Sequence, residues 1–324
     1  MPRRHLTFGM YLIVCLMLQA AVVEEETVGD KPFRRYIAER GGKRFTFYLS
    51  TAEATGHSTP LVVWIQGTGC SSHFGRNGDR ITSGLQSLLY SVARGRARIL
   101  AVEKPGVEFL DQQPDAGDAS TCRPEFRAGY TLDRWAETIA AAIEVAQRVP
   151  GVDRSKTLAV GHSEGGIVAM RVSNVSADVT HAASLSGGGP VYLFHMAEFM
   201  RRQDLDAEKE VYACWDEILK DPDSTTKFCW GQTYRQWSSF MKTSLIQEAL
   251  ASHANLYFAH GSADTQNSIA GFDVLRAELA ARQRKAVFER IDGADHALDL
   301  PNQPVPDGLD AVFRHVVDWF LATR

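Results

Sequence analysis

Hydrophobic positions along this chain follow two periods. Short unbroken apolar runs, Leu61-Val62-Val63-Trp64-Ile65, Ile99-Leu100-Ala101-Val102 and Thr157-Leu158-Ala159-Val160, read as strands of a sheet covered on both faces. Asn255-Leu256-Tyr257-Phe258-Ala259 and Ala286 to Ile291 predict two more, and a shorter strand spans His181 to Leu185. Helical spacing appears between them. Leu132, Trp135, Ile139, Ile143 and Ala146 recur on one face, with Thr131 as an N-cap and Pro150-Gly151 beyond the end. A helix through Phe272 to Arg282 separates the last two strands, and an amphipathic helix runs from about Leu309 to the C-terminus. Ahead of all these, Phe33 to Ile37 and Arg44 to Leu49 flank Gly41-Gly42 as a hairpin. Strands alternating with helices imply an α/β fold whose sheet is mostly parallel.

Two regions depart from this rhythm. From 191 to 252 no strong strand is predicted, yet Tyr192, Phe194, Phe199, Trp215, Trp230 and Trp237 are concentrated there, with Met196, Met200 and Met241. This reads as a helical insertion with a small core of its own, and as a lid over a site, two readings that are compatible. The N-terminus is the other. Arg3 and Arg4 precede an apolar run from Leu6 to Val23, with small residues at Ala20 and Ala21, which is the pattern of a secretory signal peptide over residues 1–21. The remainder, 22–324, forms one domain. An uncleaved segment would instead anchor the chain to a membrane, the only membrane contact expected.

Export changes how the cysteines read. Beyond Cys15 in the leader, four remain: Cys70, Cys122, Cys214 and Cys229. An even number in an oxidising compartment predicts two disulfides, and four cysteines allow three connectivities. Cys70–Cys122 and Cys214–Cys229 are favoured, because each pair falls within one local region. No metal-ligand spacing is present. A formal charge of −4, without a basic run interleaved with aromatics, excludes nucleic acid as an expected partner.

The candidate chemistry centres on Gly161-His162-Ser163-Glu164-Gly165, between the apolar run ending at Val160 and a small-residue helix. A strand, a G-x-S-x-G turn and a helix, in that order, make a nucleophile elbow, which lifts the Ser163 hydroxyl to the top of a sheet. Serine needs an imidazole base and an acid that orients it. His296, in the loop after the last strand, is placed for the first role and Asp264, just beyond the penultimate strand, for the second. His260 reads as a packed strand-end residue, and the elbow turn should point the His162 ring away. Asp292, Asp295 and Asp299 read as solvated loop carboxylates. Two amides should face the developing oxyanion. One belongs to Glu164; the other comes from Gln66-Gly67-Thr68-Gly69-Cys70, with Thr68 first and Gly69 next. The Glu164 side chain needs no chemical role, since an acid at a helix N-terminus is favourable anyway.

The pentapeptide, Asp264 in His260-Gly261-Ser262-Ala263-Asp264 and His296 in Gly293-Ala294-Asp295-His296 resemble the α/β-hydrolase superfamily, in that superfamily's Ser…Asp…His order. The match runs from roughly residue 33 to the C-terminus. Within the superfamily the chain is most similar to bacterial dienelactone-hydrolase-like and prolyl-oligopeptidase-like hydrolases. Gln66-Gly67 stands where many relatives have His-Gly, which leaves the backbone donor intact. The resemblance implies an α/β-hydrolase fold with helices on both faces and a helical lid, and acyl-transfer chemistry with no metal or organic cofactor. The expectation is an exported serine hydrolase acting on a small-molecule ester or acyl substrate. A peptidase or amidase, a thioesterase, and a non-catalytic binding protein are the alternatives. Peptidase relatives carry a propeller ahead of this domain, which this sequence does not show, and export disfavours acyl-CoA substrates.

Overall fold

The computed structural model describes residues 19–21, 27–29, 31–51, 57–115, 117–204, 206–301 and 307–323. Most of the expected leader lies outside them. Its last three residues, Gln19–Ala21, pair antiparallel with Ile37 to Glu39.

The predicted hairpin forms as β1 (Phe33–Arg40) and β2 (Lys43–Ser50), in register from Phe33↔Ser50 to Arg40↔Lys43. The apolar run at 61–65 becomes β3 (Thr59–Ile65). A small antiparallel hairpin, Phe74–Asn77 with Arg80–Ser83, and helix α1 (Leu85–Ala93) lead to β4 (Arg98–Val102). Helices α2 (Pro124–Gly129) and α3 (Leu132–Ala146) follow; the Thr131 hydroxyl accepts from the Arg134 amide, as its place before the helix predicted. Next come β5 (Val152–His162), α4 (Glu164–Val175) and β6 (His181–Leu185). The segment 191–252 holds α5 (Tyr192–Gln203), α6 (Ala207–Lys220), α7 (Tyr234–Phe240) and α8 (Leu245–Ala251). The chain closes with β7 (Asn255–Gly261), α9 (Ile269–Ala281), β8 (Val287–Ile291) and α10 (Asp307–Ala322).

One ten-stranded sheet unites the strands in the order Gln19–Ala21, β1, β2, β4, β3, β5, β6, β7, β8, with Thr27–Val28 also on β1. From β4 to β8 every pairing is parallel; β1, β2 and β4 pair antiparallel. The period of two explains why continuous apolar runs were needed. Along β3, Leu61, Val63 and Ile65 face a core shared with α3, α4, α8 and α9, whereas Val62 and Trp64 face α1 and α10. β5 is longer than its apolar run: across a register irregularity between Pro60 and Leu61 it extends back through the polar residues 153–156 to the buried Val152.

The inserted segment divides in two. Ile218, Trp237 and Met241, with Tyr192, Met196, Trp215 and Trp230 against them, form a separate apolar cluster. Phe240, Leu245 and Ala249 join the main core instead, so α8 belongs to the layer beside α4 rather than to a cover above the sheet. Both favoured cysteine pairs are bridged, with Cα separations of 6.0 Å for Cys70–Cys122 and 6.6 Å for Cys214–Cys229.

Candidate active site

β5 ends at His162 and α4 begins at Glu164, leaving Ser163 alone in the turn at φ 56°, ψ −124°. A non-glycine residue there is strained, and it is held by its amide donating to the Leu185 carbonyl (2.8 Å) and its carbonyl accepting from Gly166 (2.9 Å). The close strand–helix approach explains the two outer glycines of the pentapeptide. A Cβ on Gly161 would overlap the Gly165 carbonyl, and one on Gly165 would overlap the Ile65 carbonyl.

Three of the predicted residues meet at this turn. His296, on the loop after β8, has its Nε2 3.0 Å from the Ser163 Oγ and its Nδ1 2.8 Å from Asp264 Oδ2. Asp264 is buried after β7, and its other oxygen accepts from the amides of Gln266 (2.8 Å) and Asn267 (2.9 Å). Burial raises the Asp264 pKa, but the hydrogen bond and charge of His296 and the Asn267 amide outweigh it, so the carboxyl is held below its ordinary value. An imidazole between a carboxylate and a hydroxyl can accept the hydroxyl proton at Nε2 while its Nδ1–H stays oriented by the acid. His260 is packed at the strand end, as its position implied. Its Nε2 donates to the Asn267 carbonyl (3.0 Å) and lies 3.4 Å from Asp264 Oδ2.

His162 departs from expectation. Its ring does not point away: Nε2 donates to the His296 carbonyl (2.7 Å), and the two imidazoles lie 5.0 Å apart between centroids. Burial, then the neighbouring His296, lowers its pKa to about 4, so it is a neutral donor with its proton fixed on Nε2. The turn that lifts Ser163 also aims the residue before it at the His296 loop. The rival acids sit apart from the imidazole's Nδ1: Asp292 is exposed beside Arg290, and Asp295 accepts from the Asp299 amide.

On the other side of Ser163, Gly67 approaches so closely that a Cβ there would lie 3.4 Å from the Ser163 Cβ. Thr68 is exposed, and the amides of Thr68 and Glu164 have no partner among the described residues. Gln66, standing where many relatives have His, donates to the Ser71 carbonyl (2.9 Å) and so closes the loop on itself. The Cys70 amide donates to Gln113 Oε1 (2.7 Å), and the Cys70–Cys122 bridge holds the loop's far end.

The Glu164 side chain is also not the idle helix-end acid expected. It is buried, accepts from the Tyr130 hydroxyl and from Gln236 Nε2 (3.3 Å) on α7, and pairs with the buried Lys104 ammonium (3.8 Å). Lys104 in turn donates to the carbonyls of Gly67 and Gly69, the latter at 2.7 Å. Lys104 is not among the residues that the sequence motifs single out. The available signal was a lysine two residues beyond the apolar run Ile99–Val102, at the C-terminal edge where ligand sites of open α/β sheets gather.

The model of the alpha/beta hydrolase family matches residues 62–312, which span the elbow, Asp264 and His296. The chain belongs to that family. No curated protein sequence matches it. Among solved structures, the acylaminoacyl peptidase of Pyrococcus horikoshii superposes with a TM-score of 0.62 at 15% identity, over 90% of this chain and 42% of that one. Dipeptidyl peptidase 4 of Porphyromonas gingivalis gives 0.57 at 13%, over 91% and 36%. Est1E from Butyrivibrio proteoclasticus gives 0.55 at 13%, over 89% and 97%. This α/β hydrolase therefore spans less than half the length of the two peptidases and nearly all of Est1E. At such identities the likeness is one of fold.

Proposed function

We propose that this α/β hydrolase is an exported serine esterase that cleaves carboxylic esters through an acyl-enzyme. The observation that carries the reading is the hydrogen-bonded chain from Ser163 Oγ through His296 to Asp264. In the reaction, the Ser163 oxygen attacks the ester carbonyl as its proton passes to His296 Nε2. The resulting imidazolium, stabilised by Asp264, returns that proton to the leaving alkoxide, which departs as the alcohol. Water then attacks the acyl-enzyme with His296 again as base, releasing the carboxylic acid and restoring the serine. The amides of Glu164 and Thr68 stabilise the oxyanion in both steps.

The ester preference is supported by Est1E, whose length this chain matches and which has also been described with ferulic acid bound. Export is supported by the leader-like N-terminus and the two bridged cysteine pairs. Among the described residues no helix is long and apolar enough to cross a membrane. The likeness to the two peptidases makes amide cleavage the second reading.

The deciding experiment is turnover of p-nitrophenyl esters of increasing acyl length, beside peptide p-nitroanilides, by the wild type and Ser163→Ala. Ester turnover in the wild type, reduced at least about 10⁴-fold in the variant, is the expected result. Faster cleavage of anilides than esters would replace the esterase reading with the peptidase one. Turnover that survives Ser163→Ala would remove Ser163 from the mechanism.

A further inference from the structure

The amides expected to bind the oxyanion sit on a glycine-containing loop, and an amide on such a loop is useful only if its direction is fixed. Lys104 is the group in position to fix it. Its side chain is fully buried, yet it carries an ammonium that donates to two carbonyls of that loop, Gly67 and Gly69. In a trans peptide the C=O of one residue and the N–H of the next point in opposite directions. Drawing the Gly67 carbonyl toward Lys104 therefore turns the Thr68 N–H away from it. The same rule accounts for the next fixed peptide: the Gly69 carbonyl faces Lys104, and the Cys70 N–H points the other way, to Gln113.

The other end of the ammonium completes the link. Lys104 pairs with the carboxylate of Glu164, the residue whose amide is the second expected donor. One cation thus ties together the two segments that must hold their amides a fixed distance apart. It also lies over the rings of Trp135 (4.8 Å) and Tyr130 (5.2 Å), which cover it from solvent. Burial lowers its pKa to about 8, opposed by the charges of Glu164 and Glu103. Such a charge is costly to keep inside a protein merely for stability, since an apolar residue of equal volume does as well or better.

We propose that Lys104 is a positioning residue for the oxyanion hole, orienting the Thr68 amide through the Gly67 carbonyl and coupling it to Glu164. The proposal rests on the serine-hydrolase reading above. Lys104 touches no reacting atom; it acts through the loop.

The test uses the full chain with two double variants. Lys104→Met/Glu164→Gln matches volume and leaves no charge unpaired, whereas Lys104→Gln/Glu164→Gln also retains N–H groups that can reach the carbonyls. Measured for each are kcat and KM on the best p-nitrophenyl ester, the affinity of an alkyl boronic acid, whose tetrahedral serine adduct occupies the oxyanion hole, and Tm. In the methionine variant, kcat and boronate affinity should fall together by about 10- to 100-fold, below the 10²–10³-fold loss typical of deleting a donor outright, with KM within about threefold. The glutamine variant should recover part of both. A folded methionine variant with wild-type kcat overturns the proposal, and so does a loss of kcat without a matching loss of boronate affinity. Equal losses in the methionine and glutamine variants overturn it too, since the carbonyl contacts would then be immaterial. Ser163→Ala, assayed in parallel, separates the two levels. Wild-type turnover independent of Ser163 sinks the parent reading as well, whereas Ser163-dependent turnover indifferent to Lys104 sinks this one alone.

Discussion

Ser163 occupies the least comfortable backbone conformation of the elbow, and its neighbours have little freedom to be anything else. Gly161 and Gly165 are excluded from carrying a Cβ by carbonyls, while His162 is kept by a hydrogen bond. That bond holds the backbone of His296 itself, beside the ring's bonds to Asp264 and Ser163 and the backbone tethers on either side, in which the Ala263 amide donates to the Ala294 carbonyl and the Asp295 amide to that of Asp299. His162→Phe keeps a ring of similar size and deletes the donor. On the proposed mechanism it should lower kcat about 10-fold with KM unchanged, because small misplacements of a base cost rate steeply. Fluorophosphonate labelling of Ser163 should slow by the same factor. A wild-type labelling rate would mean that the bond serves only packing.

Among the elements, the sheet and its two helical layers are built from apolar periodicity and need few special devices, whereas the inserted helices need several. Their own cluster is small, so the segment is pinned to the main domain by polar links. Gln232 donates to the Gly117 carbonyl (3.0 Å), Arg202 to the Asp264 carbonyl (3.2 Å), and Gln236 to Glu164. Cys214–Cys229 closes a 15-residue separation between α6 and the short strand Phe228–Cys229. Cross-linking a loop of that length removes about 3 kcal/mol of unfolded-chain entropy on the chain-entropy account. Cys214→Ser/Cys229→Ser should therefore loosen α5 to α7 by about 3 kcal/mol or less while the sheet stays folded. Amide hydrogen exchange would read this as lost protection confined to those helices. Protection lost evenly across the sheet would show instead that insertion and sheet unfold as one unit.

For the molecule as a whole, the notable electrostatic fact is how many histidines are kept neutral. Burial lowers the pKa of His73, His162, His181 and His195 to about 4, and lowers that of His260 as well. A histidine whose folded pKa is depressed contributes stability that is complete above its unfolded pKa, near 6.5, and is lost as pH falls through the folded value. Glu103, buried beside Ser72 and Tyr48 and pushed up to about 8, acts with the opposite sign, losing stability as pH rises from 4.5 to 8. Five histidines against the two raised carboxyls, Glu103 and Asp299, set the direction in the overlapping window. Tm should decline as pH falls from 6.5 to 4, and replacing one of these histidines, His195→Gln, should make the decline shallower. A Tm flat across that window would contradict the neutral assignment.

The alternation of apolar runs with helical spacing was enough to determine a mostly parallel α/β sheet and its strand positions to within a few residues, while the local motifs put Ser163, Asp264 and His296 forward as candidates beyond its strand ends. These follow from sequence because burial on two faces leaves a one-dimensional trace, and because a G-x-S-x-G turn is a local object. The favoured cysteine pairing was legible for the same reason, each pair lying within one region. What lay beyond the sequence was everything decided by contact between distant segments. The direction of the His162 ring depends on a loop 134 residues away. The burial of Glu164 depends on Tyr130, Gln236 and Lys104 arriving from three different elements. The division of 191–252 into a separate cluster and a helix of the main layer depends on which apolar face found a partner. Composition and periodicity record how much a side chain prefers to be buried; only the tertiary structure decides what it is buried against, and here that is what brings the Lys104 ammonium to the carbonyls of Gly67 and Gly69.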